Sequence, residues 1–158
     1  MVSRDFIRSI ELFSALGDED VAALAALAKE EVFAKGQAVF REREPGGRIY
    51  AVLTGVVELT QAAPRGRSRS LGRLERGELL GELAAFDGRP QSATATAAVV
   101  PETRLASWDQ EDFHAFLASR PRAATLVLGA LLRKMSRRLR AASEAVHALL
   151  AGVGDSPA

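Results

Sequence analysis

Two periodicities divide the chain. Near the N-terminus Val21, Leu24 and Leu27 recur at three-residue spacing behind Asp18, Glu19 and Asp20, which predicts a short amphipathic helix over 18–29 with Asp18 as its N-cap. Leu12, Phe13 and Leu16 precede it and are expected to tuck against the core. From Glu31 to Trp108 the helical period disappears. Short β-favouring runs take its place at 31–33, 38–40, 49–53, 56–59, 92–100 and 104–108, separated by Gly36, Gly46, Gly47, Gly55, Gly77 and Gly88. That rhythm predicts a compact antiparallel barrel or sandwich, with Tyr50 and Trp108 as core aromatics.

After Trp108 the helical period returns. Asp109 is placed to cap a helix reaching about Ala118, and Asp109, Glu111 and Asp112 suit the dipole at its start. Pro121 opens a second helix running toward Leu150, roughly 40 Å long. Along it Leu128, Leu132, Met135, Leu139, Ala142, Val146 and Leu149 follow alternating four- and three-residue steps, the pattern of a two-helix seam. A helix this long overhangs a compact core, so the seam predicts a homodimer. Arg133, Lys134, Arg137, Arg138 and Arg140 lie mainly off the seam and read as a solvated outer face.

Length bounds the answer to one domain over 1–150: a helical segment at 1–30, the β region at 31–108 and helices at 109–150, with 151–158 as a flexible tail. With 21 basic and 20 acidic side chains the net charge of +1 exerts no general pull on polyanions. Pro64-Arg65-Gly66-Arg67-Ser68-Arg69 accordingly reads as a solvated basic hairpin tip. The absence of cysteine removes disulfides, thiolate zinc sites and iron-sulfur clusters. Only His114 and His147 remain as imidazole ligands, so no metal site is expected, and neither has a nucleophile placed beside it by motif. No catalytic residues emerge, and the chain does not read as an enzyme. The longest apolar run, Val21 to Ala28, is far short of a membrane span, and Met1 to Asp5 has no apolar signal core behind it. A cytoplasmic protein with no membrane partner is the expectation.

The most informative stretch is Leu80-Gly81-Glu82-Leu83-Ala84-Ala85-Phe86-Asp87-Gly88-Arg89-Pro90-Gln91-Ser92-Ala93-Thr94-Ala95. It joins a glycine turn, one turn of helix, a second turn and a strand of small residues; a short helix beginning after Glu82 would direct backbone N–H groups toward an anion, and Gly81 lets backbone approach closely. The segment resembles the phosphate-binding cassette of cyclic nucleotide-binding domains. The likeness extends to Lys35 through Phe40, to Ile49 through Val57 and to Leu12 through Ala26; Met135 through Glu144 looks like the dimer helix of the catabolite activator branch.

The resemblance implies a mainly β fold with flanking helices: a double-stranded β-helix, or jelly-roll-like β-roll, with an N-terminal helix and a long C-terminal dimerisation helix. It implies that Glu82 accepts hydrogen bonds from the ribose, that Leu83, Ala84 and Ser92 contact the cyclic phosphate, that Gly81 permits close approach, and that Ala93 and the alanines after it leave room. Ser143 would read the purine. No cofactor is required; the effector would be cAMP or cGMP, with signalling through the C-terminal helix to a downstream protein partner.

Three departures mark the chain. Gln91 stands where the family carries its phosphate-binding arginine, a loss worth roughly 1.5 to 3 kcal/mol, or about tenfold to a hundredfold in affinity. Arg89 would reach the same site if the segment is extended there, since alternate residues share a face. Arg43 stands where a glycine is usual, which is expected to alter that turn. Gly152 to Ala158 cannot hold a helix-turn-helix domain, so direct DNA binding is not expected of this chain. Two readings remain open: a cyclic nucleotide sensor, or a fold that has lost nucleotide and serves as a dimeric interaction module or binds another small ligand.

Overall fold

The unbroken apolar run Ile49-Tyr50-Ala51-Val52 is the key to the layering. The computed structural model describes residues 1–154. The chain runs α1 (Arg4–Ser9), a 3-10 turn (Glu11–Phe13), α2 (Asp18–Leu27), β1 (Lys29–Ala34), β2 (Ala38–Phe40), β3 (Arg48–Thr54), β4 (Val57–Ala63), β5 (Arg67–Leu74), β6 (Leu79–Leu80), α3 (Glu82–Asp87), β7 (Thr94–Ala97), β8 (Glu102–Asp109), α4 (Gln110–Ser119) and α5 (Pro121–Gly154). The strands form two four-stranded antiparallel sheets, β1-β8-β3-β6 and β2-β7-β4-β5. The first is covered on both faces. Alternation along β3 sends Ile49 and Ala51 toward the helices and Tyr50 and Val52 into a second cluster between the sheets. Leu79 and Leu80 divide the same way, as do Ala106 and Leu105.

On the helical side Trp108 is fully buried; its indole N–H donates to the Leu24 carbonyl at 2.9 Å, and the ring meets Phe13 edge to face at 5.7 Å. The expected burial of Leu12, Phe13 and Leu16 is observed. A helix not foreseen in the sequence precedes them. In α1, Ser3 accepts from the Phe6 N–H, and Phe6 and Ile7 enter the core; two turns are too few to display a period.

Several boundaries move for physical reasons. Gly17, not Asp18, is the N-cap of α2, and the Asp18 carboxylate instead pairs with Arg8. The helix stops at Leu27 because Lys29 already pairs with Ser107 in the first sheet. Asp109 does sit at the N-cap position of α4, but its carboxylate makes no capping bond; it accepts from Arg48 Nε at 2.9 Å and pairs with Lys29. Hydrogen bonds from Lys29 and then Arg48 hold the Asp109 carboxyl below the usual carboxylate range. The stretch expected as a strand over 92–100 is extended only at Thr94–Ala97. β5, Arg-Ser-Arg-Ser-Leu-Gly-Arg-Leu, is the exposed edge of its sheet, so no apolar alternation announces it.

Helix α5 continues past Leu150 to Gly154, taking in residues assigned from sequence to a tail; 155–158 lie outside the described residues. Its first turns bury Ala123, Val127 and Ala130 against the core, whereas Ser136 through Gly152 are exposed without exception. The seam therefore projects freely: Leu132, Leu139, Val146 and Leu149 are all exposed, as is Leu128 in part, while Met135 is half-buried. Among the described residues no helix is long and apolar enough to cross a membrane.

Candidate ligand-binding site

The site begins at a close approach between two backbones. Gly81 has φ +79°, and a Cβ there would stand 2.8 Å from the carbonyl oxygen of Arg48 at the start of β3. Only glycine lets the chain turn so tightly against that strand. The strand end is itself pinned, because the Arg48 guanidinium donates to Glu31 and Asp109, each at 2.9 Å; the hydrogen bond to Asp109 is the main reason its pKa rises. From Gly81 the chain enters α3, whose first N–H groups have no partner within the helix.

After Gly88 the chain does not form an extended strand at once. It is clamped to the β2–β3 connection: the Gln91 N–H donates to the Glu44 carbonyl and the Arg43 N–H to the Gln91 carbonyl, both at 2.8 Å. Arg43 has φ +69°, so the turn expected to change with this residue holds it in the left-handed region that glycine occupies freely. The clamp buries Gln91 to 7% exposure and turns it toward Gly81.

These elements enclose one side of a cavity of about 350 Å³, within the usual range for small-molecule sites of about 300 to 1,000 Å³. Gly81, Glu82, Leu83, Gln91, Ser92 and Ala93 line it, as the sequence suggests. Phe40, Leu59 and Leu71 supply apolar wall, and Arg73, Lys134 and Arg138 supply positive charge. Ala84 is not on the wall; it is buried beside Gly46. Two expected members stand elsewhere. Arg89 is exposed in a turn closed by its own N–H to Asp87, so the strand geometry that would aim it at the site is missing. Ser143 is exposed far along α5 and does not line the cavity of its own chain.

The largest correction concerns the basic residues of α5. Lys134 is not part of a solvated outer face, and Arg138, although exposed as expected, reaches the same carboxylate. Buried Glu82, 4% exposed, lies 3.4 Å from Lys134 Nζ and 3.8 Å from an Arg138 guanidinium nitrogen. Arg137 pairs with Glu11 beside the same junction. The signal for this was present: 134 and 138 continue the face of Ala123, Val127 and Ala130, which differs from the seam. His114, by contrast, is exposed, its ring 5.9 Å from Phe86, and His147 is exposed on α5.

The family model described as cyclic nucleotide-binding domain matches residues 30–120, more than half of the chain. The chain belongs to that family. Its two sheets and flanking helices are the β-roll expected of a cyclic nucleotide-binding domain. A CRP-like cAMP-activated global transcriptional regulator of Mycobacterium tuberculosis is 33% identical over 82% of this chain and 55% of its own length. The domain thus spans about half the length of the curated relatives it matches. Among solved structures, the N-terminal domain of a transcriptional regulator from Streptomyces coelicolor A3(2) is 39% identical with TM-score 0.74, covering 90% of this chain and 95% of that one. Thermus thermophilus catabolite activator protein is 31% identical with TM-score 0.76, covering 88% of this chain and 62% of that one.

Proposed function

We propose that this domain is a non-enzymatic sensor that binds a cyclic purine nucleotide, cAMP or cGMP, and reports occupancy through α5. The observation that carries the reading is the junction at Glu82. This buried carboxylate lines the cavity and is joined to α5 by Lys134 and Arg138, both at its Oε1, so a ligand hydroxyl that donates to Glu82 shares the carboxylate that holds the helix. Binding and helix position are then linked in both directions. The name of the Mycobacterium tuberculosis relative, a cAMP-activated regulator, supports cAMP as the first ligand to try. In thermal unfolding, nucleotide at about 100 times its dissociation constant adds about 2.7 kcal/mol to stability, a rise of several degrees in Tm. Glu82→Ala should weaken binding at least tenfold. No shift at millimolar cAMP or cGMP overturns the proposal and favours the second reading, which neutral Gln91 motivates: a dimeric interaction module without nucleotide.

The sensor works as a homodimer through the seam on α5. Leu132 and Leu139 are 68% and 72% exposed in the single chain, and an apolar row of this length in water favours self-association. Its pairing would also give Ser143 a role that its position denies it within one chain, in the cavity of the partner subunit. The double variant Leu132→Asp, Leu139→Asp should sediment as a monomer with unchanged circular dichroism. A wild-type monomer at tens of micromolar would contradict the assignment.

A further inference from the structure

The cavity has an uneven charge distribution. Its cassette wall, Gly81, Glu82, Leu83, Gln91, Ser92 and Ala93, bears one formal charge, and that charge is negative. Every cation on the lining belongs to other elements: Arg73 on β5, and Lys134 and Arg138 on α5. They are not equivalent. The Lys134 side chain is 21% exposed, whereas Arg138 is 57% exposed and farther from Glu82. An ammonium has three hydrogens to donate, and the bond to Glu82 at 3.4 Å uses one of them.

We infer that Lys134 supplies the counter-charge for an anionic ligand in this cavity, in place of any cation on the cassette. This rests on the sensor reading and deepens it by naming the ligand chemistry: an anion carried next to a hydroxyl. The hydroxyl donates to Glu82, and the ammonium beside that carboxylate donates to the anion. A cyclic nucleotide presents both groups, its ribose 2′-hydroxyl neighbouring the cyclic phosphate. Two consequences follow from the position of Lys134 on α5. The anion is held by the helix rather than by the cassette, so the phosphate itself bears on helix position. Gln91, buried on the same wall and facing Gly81, can remain neutral without leaving the anion unopposed.

The test is the affinity of the full chain for cAMP and cGMP, measured by calorimetric titration of five proteins: wild type, Lys134→Gln, Lys134→Arg, Gln91→Arg, and Lys134→Gln combined with Gln91→Arg. Removing the charge should weaken binding about tenfold or more. Lys134→Arg should retain most of the affinity, and Gln91→Arg should restore it in the Lys134→Gln background, because a cation from the opposite wall replaces the missing one. Because an arginine at 91 can strengthen anion binding on its own, the discriminating result is non-additivity: Gln91→Arg should gain clearly more affinity in the Lys134→Gln background than in wild type, whereas equal gains in both backgrounds would mean that Lys134 only holds Glu82 in place and would overturn the inference. Binding by Lys134→Gln equal to wild type, or weakened binding without rescue by Gln91→Arg, overturns the inference and leaves the sensor reading standing. A wild-type protein that binds neither nucleotide overturns both.

Discussion

Replacing Trp108 by alanine should lower Tm by about 10 °C or more. The indole is fully buried and is the largest side chain of the helical core, where truncating an aromatic costs about 3 to 5 kcal/mol. For a chain of this size each kcal/mol moves Tm by about 2–4 °C. Loss of the N–H would also leave the Leu24 carbonyl without its 2.9 Å partner, so α2 loses its tie to β8 together with the packing. Trp108→Phe separates the two contributions: it keeps most of the apolar contact with Phe13 and gives up the hydrogen bond, so its loss should be about 1–3 kcal/mol. Chemical denaturation followed by far-ultraviolet circular dichroism reads both variants. Equal stabilities of Trp108→Ala and Trp108→Phe would show that the ring does not anchor the layer between helices and sheet.

Gly81→Ala is expected to damage the site out of proportion to its size. The left-handed backbone at this position costs a non-glycine residue about 1–2 kcal/mol, and the added Cβ would meet the Arg48 carbonyl oxygen at 2.8 Å. That oxygen belongs to a strand whose start is held by Glu31 and Asp109, so the turn must yield instead. The displaced elements would be Glu82 and the start of α3. Stability should fall by about 2 kcal/mol or more, and affinity for cyclic nucleotide by more than about tenfold. The companion Gly47→Ala is a control, since nothing lies within 4 Å of a Cβ there; both the fold and the cavity should tolerate it. If Gly81→Ala binds ligand as wild type does, the close approach to β3 is not what shapes the cavity.

The parts of the fold that the sequence declares are those whose burial is regular. β3 is recognisable because a strand covered on both faces reads as a continuous apolar run, and the seam on α5 because seven positions keep one stepping rule. What it hides is decided by tertiary surroundings. The edge strand β5 buries almost nothing, so its polar sequence is compatible with a loop. Asp109 has the ideal identity for a helix cap, yet two cations across the first sheet offer its carboxylate stronger partners than a helix N–H. Within the site, the glycine turn and Glu82 are legible in the cassette itself. The charges opposite Glu82 are legible only once the face of Ala123, Val127 and Ala130 is taken as the buried one, because a basic residue off a dimer seam otherwise serves equally well in water or against the core. Lys134 falls on the inward side because the helix begins by packing Ala123 and Val127 against that core, and 134 lies on the same face. Arg89 illustrates the reverse error: its expected placement required an extended segment, and the Gly88 turn withholds one.

The central claim is that a cyclic nucleotide occupies the cavity between the cassette and α5. The most direct measurement is a heteronuclear amide spectrum of the isotope-labelled chain titrated with cAMP. Saturable shifts are predicted at Gly81, Leu83, Gln91, Ser92 and Ala93 together with the stretch of α5 around Lys134, with the Gln91 side-chain amide among them, and no comparable response to adenosine 5′-monophosphate. A spectrum that is unchanged at millimolar cAMP, or that moves only at the exposed basic hairpin around Arg65 and Arg67, would contradict the account.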